Sequence, residues 1–82
     1  MKVKILGIQT QEYKLENGYH FKGRKLHLMC LDEKPGLFGC EVDTVRLSDD
    51  SPLANVPLAV GCEYNFYFDQ RAHLDAIIPI ES

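Results

Sequence analysis

Apolar residues in this chain recur at every second position, in short runs that are separated by turn-forming residues. A period of two places successive side chains on opposite faces of an extended strand. In the fourth run, for example, Tyr64 and Phe66 share one face, whereas Asn65 points to the other. The pattern predicts an all-β protein with five major strands. These runs cover residues 2–10, 26–31, 37–47, 62–69 and 74–80.

Glycines and one Asn-Gly pair mark where the strands bend or turn. Asn17-Gly18 predicts a hairpin over residues 11–21 with a type I′ turn, because both residue types tolerate positive φ. Gly7 lies inside the first run and predicts a bulge or a sharp bend. Gly23 predicts a break before the second major strand. The hairpin is therefore expected as a small extension of the main fold.

The length of 82 residues predicts one domain over residues 1–82. Five strands in so short a chain predict a small closed or half-closed barrel, because an open sheet leaves edges that aggregate. The strand count favours an OB-fold-like Greek-key barrel, with an SH3-like barrel as the alternative. The loop over residues 48–61 contains two prolines, which leave room for at most one helical or 3₁₀ turn. Pro79 is expected at a sheet edge or a strand end.

The faces of the last two strands and the cysteines complete the predicted core. Three rings at period two, on Tyr64, Phe66 and Phe68, are typical of a barrel interior, and residues 74, 76, 78 and 80 form one apolar face. The three cysteines are widely spaced within apolar runs and form no Cys-x-x-Cys pair, so we expect buried small hydrophobic residues rather than a disulfide or a zinc site. They are Cys30, Cys40 and Cys62.

Several function classes lack a signal in the sequence. No run approaches the roughly 20 apolar residues that cross a bilayer, and the charged start does not resemble a signal peptide, so a cytoplasmic location is expected. The histidines are scattered, and no nucleophile elbow, metalloprotease motif or phosphate loop occurs. The carboxylates of Asp49 and Asp50 fit a solvated turn. We expect neither an enzyme nor a bound metal or cofactor.

The densest positive feature is Lys22-Gly23-Arg24-Lys25, in a chain whose formal net charge is −3. Residues 1–34 hold seven Lys or Arg and four Asp or Glu, whereas residues 35–82 hold two and eight. This asymmetry predicts one positive and one negative surface unless folding mixes the two halves. Cations beside aromatic rings are what a surface needs to hold the phosphates and stack the bases of a single strand.

The sequence therefore predicts binding of single-stranded DNA or RNA. Tyr13 and Phe21 fit packing within the hairpin as well as base stacking. The candidate phosphate contacts are Lys14, Lys22, Arg24, Lys25, Arg46 and Arg71, and the candidate stacking rings are Tyr19, Phe21, Phe38 and Tyr67.

Three segments resemble the filamentous-phage single-stranded-DNA-binding proteins of the gene-five type. Residues 22–25 resemble the basic segment of that family, with Leu28 matching a leucine that follows it; residues 42–47 resemble its central strand, and residues 74–79 its closing strand with an Asp and a nearby Pro. The family has a tyrosine where this chain has Leu26, and an arginine near Phe21. The resemblance implies a phage or mobile-element origin, a homodimeric OB-fold and sequence-independent coating of single strands.

A protein-interaction module is the alternative function. A small acidic barrel that binds no nucleic acid would dock on a replication or conjugation protein through Asp49, Asp50 and an exposed strand edge.

Overall fold

Residues 1–80 form a single antiparallel sheet of five strands. The structure is a computed structural model that describes residues 1–80. The strands pair in the order β3-β2-β1-β4-β5, which is a Greek key because three hairpin-connected strands are followed by one that returns beside the first. The prediction of a five-stranded all-β fold is confirmed. The strands are β1 (Lys2–Lys14), β2 (His20–Cys30), β3 (Glu41–Ser48), β4 (Glu63–Phe68) and β5 (Leu74–Pro79).

The sheet curls around a core but does not close. Val3, Ile5, Leu26, Leu28 and Phe66 are fully buried on its inner face. Side chains from both edge strands and from the loop over residues 49–61 pack against this cluster. Yet no Cα of β3 lies within 8 Å of a Cα of β5, and residues 1–80 show no ladder between them. A closed barrel is therefore not formed, and Pro79 ends the edge strand β5 as expected.

The predicted hairpin is the shared end of two long strands rather than a separate element. β1 and β2 pair from Val3 and Cys30 to Lys14 and His20, whereas β3 pairs with β2 only from Gly23 onward. Residues 11–22 thus form a two-stranded extension, which we call the arm. The arm explains why the molecule is 42 Å long but only 27 Å and 25 Å across.

The arm's turn differs from the type I′ turn that Asn17-Gly18 predicts. Gly18 has φ 88°, but Asn17 does not have a positive φ. The Gly18 N–H bonds to the Leu15 carbonyl, and the Leu15 N–H bonds to the Tyr19 carbonyl. This is a type I turn followed by a left-handed glycine, a common three-residue connection. Asn17 contributes through its side chain, whose Oδ1 accepts the Tyr19 N–H at 2.9 Å.

The two strand glycines have different roles. A bulge lies at Leu6, since pairing shifts between Ile5 and Gly7, and this confirms the prediction made for Gly7. The predicted break at Gly23 is wrong, because β2 continues through it. A Cβ at Gly23 would fall on the Leu47 carbonyl oxygen and within 2.9 Å of the Ser48 Cα. Gly23 is therefore required where β3 passes close to β2.

Two predictions of strand extent and burial are wrong. β3 begins at Glu41, so Phe38 and Cys40 lie in the preceding loop, where Gly36 and Gly39 adopt positive φ. Phe68 is substantially exposed rather than sealed in the core. The loop over residues 49–61 forms successive i→i+3 turns at residues 51–56 without a helix, close to the single turn expected there.

The buried face of β5 also differs from the prediction. Ile77 is buried and Ile78 exposed, because a register shift between Tyr67 and Phe68 reverses the alternation.

The prediction of three buried cysteines holds only for Cys30, since Cys40 and Cys62 are exposed. Burial raises the pKa of the Cys30 thiol, and the nearby Glu41 carboxylate raises it further.

Candidate nucleic-acid interface

The pairing register places two cations side by side on the outer face of the sheet, the face that turns away from the core. Lys25 is the ladder partner of Arg46 on β3 and of Gln9 on β1. Side chains directly opposite on one face lie about 4.5–5.5 Å apart at Cβ. We call Lys25 and Arg46 the cation pair.

The cation pair has no carboxylate partner. The ion pairs within 4.0 Å in residues 1–80 involve Lys34, His20 and His73. Like charges directly opposite across a ladder are destabilising. An anion bound between Lys25 and Arg46 would relieve this repulsion, which makes the pair a suitable phosphate contact.

A histidine ring lies in the next row of the same face. The His27 ring packs over Gly7, where a Cβ would lie 3.6 Å from its Cδ2, and its Nε2 is 3.5 Å from the Gln9 Oε1. His27 also lines a shallow hollow with Leu6, Val42, Thr44 and the exposed Asp43. The outer face therefore combines the cation pair with a half-buried ring and a hollow that contains one carboxylate.

The arm adds an aromatic stack. Tyr13 and Phe21 are ladder partners with ring centroids 5.2 Å apart at 29°. Phe21 is only 6% exposed, whereas Tyr13 is 36% exposed, so Tyr13 is the ring of this stack that is accessible. The period of two puts both rings on the same face of the β1–β2 ribbon as Gln9 and Lys25.

Three of the predicted phosphate contacts lie on the other face. Arg24 is half-buried, and its Nη2 donates a hydrogen bond of 2.9 Å to the Ala54 carbonyl. Lys22 is exposed opposite Glu12, and Lys14 opposite His20. Because side chains alternate along β2, the cations of the basic segment lie on both faces of the sheet. On its own face, Lys25 has Arg46 rather than Arg24 as its neighbour.

The remaining predicted residues are dispersed. Phe38 is 97% exposed. Its loop also carries the carboxylates of Asp32 and Glu33, and the cation of that loop, Lys34, forms an ion pair of 2.7 Å with Glu41. Tyr19 is exposed in the turn of the arm. Tyr67 is exposed on β4 opposite Ala76, and Arg71 is exposed in the turn after β4.

The residues that sequence reasoning missed are those that register brings to the cation pair. His27, Gln9 and Thr44 join Lys25 and Arg46 only because β1, β2 and β3 are aligned as they are. The type I′ turn expected at Asn17-Gly18 would pair Glu16 with Tyr19 and therefore Gln9 with Leu26. The partner of Gln9 is Lys25 because the turn has three residues instead of two.

The turn between β4 and β5 is organised by one carboxylate. Asp69 Oδ1 accepts the N–H groups of Arg71 at 2.8 Å and His73 at 2.9 Å. The hydrogen bond from the His73 N–H is the main reason that the pKa of Asp69 lies below its ordinary value, and the Arg71 N–H contributes. His73 is thus a turn residue paired with Asp69.

Comparison with models of known protein families, with curated protein sequences and with solved structures gives no match. Within residues 1–80, no three His, Cys, Asp or Glu side chains are grouped to hold a metal ion. The described part of the chain also contains no helix of the length and apolarity needed to cross a membrane.

Proposed function

We propose that this protein binds single-stranded nucleic acid without sequence preference on the outer face of β1, β2 and β3. The observation that carries the proposal is the cation pair, two neighbouring side chains of like charge with no carboxylate within 4.0 Å in the described chain. Each phosphate neutralised there releases counterions, which favours binding.

The neighbouring groups support a single strand as the ligand. Unpaired bases present ring faces that stack on aromatic side chains, and Tyr13 and His27 lie on the same face as the cation pair. The outer surface of β2 and β3 is also where OB-folds bind oligonucleotides, and this chain has the Greek-key order expected of that fold.

The direct test is fluorescence anisotropy of a labelled 15-nucleotide oligo-dT across a salt series that begins at 50 mM. We expect binding that weakens with salt, with a slope of about −0.7 per phosphate contacted. The Lys25→Ala/Arg46→Ala double variant should lower the affinity at 50 mM and reduce the magnitude of the slope by about 1.4.

The matched control is Lys14→Ala/Lys22→Ala, which removes the same charge from the other face of the ribbon. Its slope should stay closer to that of the wild type than the slope of the first double variant. Absence of binding at 50 mM salt, or equal slopes for the two double variants, would reject the proposal. Repeating the series with oligo-rU distinguishes RNA from DNA as the preferred strand.

A further inference from the structure

The edges of β3 and β5 line one hollow, which we call the opening, and are too far apart to pair with each other. All neighbouring strands are antiparallel, so β3 and β5 run in the same direction. Paired strands lie about 4.8 Å apart, so the Cα separation of more than 8 Å between β3 and β5 is too wide for a direct ladder.

β3 presents unpaired main-chain groups to this opening. The Asp49 N–H bonds to the Lys22 carbonyl at 2.9 Å, which marks residues 22 and 49 as a hydrogen-bonded pair. Such pairs alternate along an antiparallel ladder. The main-chain N–H and C=O groups of Thr44, Arg46 and Ser48 therefore point away from β2.

Part of this edge is already occupied. The Asp43 Oδ1 accepts the Thr44 N–H at 2.7 Å, and the Ser48 carbonyl accepts the Ser51 N–H. Four groups of these three residues stay available in the described chain, namely the carbonyls of Thr44 and Arg46 and the N–H groups of Arg46 and Ser48. They suffice for a ladder of a few residues in the C-terminal half of β3.

β5 presents a matching edge. The Asp69 N–H bonds to the His73 carbonyl at 2.8 Å, so the main-chain groups of His73 face β4. Those of the next residue, Leu74, consequently face the opening. Beyond the register shift, the Ile80 N–H bonds to the Glu63 carbonyl at 3.0 Å, which leaves the main-chain groups of Ile77 facing outward as well.

The floor of the opening is apolar and its rim is polar. Val45, Leu47, Phe68 and Leu74 line it together with Ser48, Ser51 and His73. Val45 and Leu74 also pack against the core cluster, so a side chain placed in the opening would extend the core. The exposed Arg46 lies on the outer side without a carboxylate partner in the described chain.

We propose that the opening between β3 and β5 binds an extended peptide segment of a partner protein as a sixth strand, antiparallel to both edges. Such a strand would pair with both edges and would close the barrel with antiparallel ladders only, which five strands cannot do. Alternate apolar side chains of the peptide face Val45 and Leu74, and acidic side chains lie beside Arg46. This is β-augmentation with two edges instead of one.

The test uses a blocked, fluorescein-labelled hexapeptide of alternating valine and glutamate. We expect saturable binding with a dissociation constant below about 1 mM, together with amide chemical-shift changes centred on Arg46 and Leu74 in the ¹⁵N-labelled full chain. The same hexapeptide with alternate amides N-methylated keeps N–H donors toward only one of the two edges, so it loses one ladder and should bind at least tenfold more weakly. Equal binding of the two peptides would overturn the proposal, as would shifts that avoid β3 and β5.

Two substitutions of Arg46 distinguish the contribution of its main-chain hydrogen bond to peptide binding from that of its side-chain charge. Arg46→Ala keeps the outward N–H and should weaken binding of the valine–glutamate peptide to the level of an uncharged valine–threonine peptide. Arg46→Pro removes the N–H without breaking a bond to β2, and should abolish binding of both peptides. If Arg46→Pro still binds the peptides, or if the wild type binds no peptide, the proposal is wrong. The N-methylated peptide tests the wild type alone, so the result does not depend on how well Arg46→Pro folds.

Discussion

Arg24 donates a 2.9 Å hydrogen bond to the carbonyl of Ala54, from the side of β2 opposite to that of its neighbour Lys25. The two adjacent cations thus have different environments. Arg24 joins β2 to the loop that covers one end of the core, whereas Lys25 belongs to the cation pair. Their substitution should therefore affect different properties of the protein.

We expect Arg24→Ala to lower the free energy of unfolding by about 1–2 kcal/mol, because a hydrogen bond from a charged donor is lost at a half-buried position. Its oligo-dT affinity should fall less than that of Lys25→Ala. Lys25→Ala should show the reverse, with nearly unchanged stability and weaker binding. Urea unfolding and anisotropy measure the two quantities, and a larger binding defect in Arg24→Ala would contradict the assignment of the two faces.

Gly23→Ala should be destabilising by about 1–3 kcal/mol, since its methyl group would meet the Leu47 carbonyl and backbone atoms cannot move aside cheaply. Gly7→Ala is the matched control. There the new Cβ would make ordinary contact with the His27 ring at 3.6 Å, and restricting the unfolded chain favours folding by about 0.4–1 kcal/mol. Thermal or urea unfolding should therefore find Gly7→Ala more stable than Gly23→Ala. Equal stabilities of the two variants would contradict the close approach of β3 to Gly23.

Tyr13→Ala should loosen the arm and weaken oligo-dT binding. The stack with Phe21 contributes about 0.5–1.5 kcal/mol, so amide hydrogen exchange should accelerate in residues 11–22 more than in the core strands. Tyr13→Phe keeps the ring and should preserve both the protection and the affinity. If Tyr13→Ala binds oligo-dT with unchanged affinity, the arm is not part of the proposed interface.

Phe38→Ala should change neither stability nor oligo-dT affinity appreciably. The side chain is 97% exposed, so its removal costs little packing, within about 0.5 kcal/mol. The carboxylates of Asp32 and Glu33 on the same loop repel phosphates. A severalfold loss of oligo-dT affinity would instead show that the nucleic acid reaches this loop.

The turn between β4 and β5 should be lost on acidification below the ordinary pKa range of an aspartate, about 3.9. Hydrogen bonds to the Asp69 carboxylate lower its pKa in the folded state, so their stabilisation is present above the unfolded pKa and disappears as the pH falls through the folded pKa. NMR titration should find that the pKa of Asp69 lies below the ordinary aspartate value of about 3.9. Asp69→Asn should flatten this part of the pH dependence, and a pKa of Asp69 at or above the ordinary value would contradict the hydrogen bonds from Arg71 and His73.

Local patterns accounted for most of the fold. Alternation and turn residues predict the start of β4 to within one residue, and they predict the bulge near Gly7. They predict too early a start for β3, because Gly39 adopts a positive φ and interrupts the extended backbone before Glu41. They also fail at Ile77 and Ile78, because the register shift between Tyr67 and Phe68 is a property of the strand pair rather than of either strand.

The candidate site depends much more on pairing. Charge density marks Lys22, Arg24 and Lys25 as one cluster, but alternation separates Lys25 from the other two. Arg46 lies 21 positions away in sequence and joins Lys25 only through the β2–β3 register. Nothing local to either residue encodes that neighbour.

The amino-acid order alone was enough to establish an all-β chain of five strands with its main turns, since the period of two and the glycine positions follow from backbone geometry within a few residues. The tertiary structure decided which cations share a face, that Phe21 is covered by Tyr13, and that β3 and β5 stay apart. Those outcomes depend on long-range register, and a single inserted residue in a ladder moves every following side chain to the opposite face.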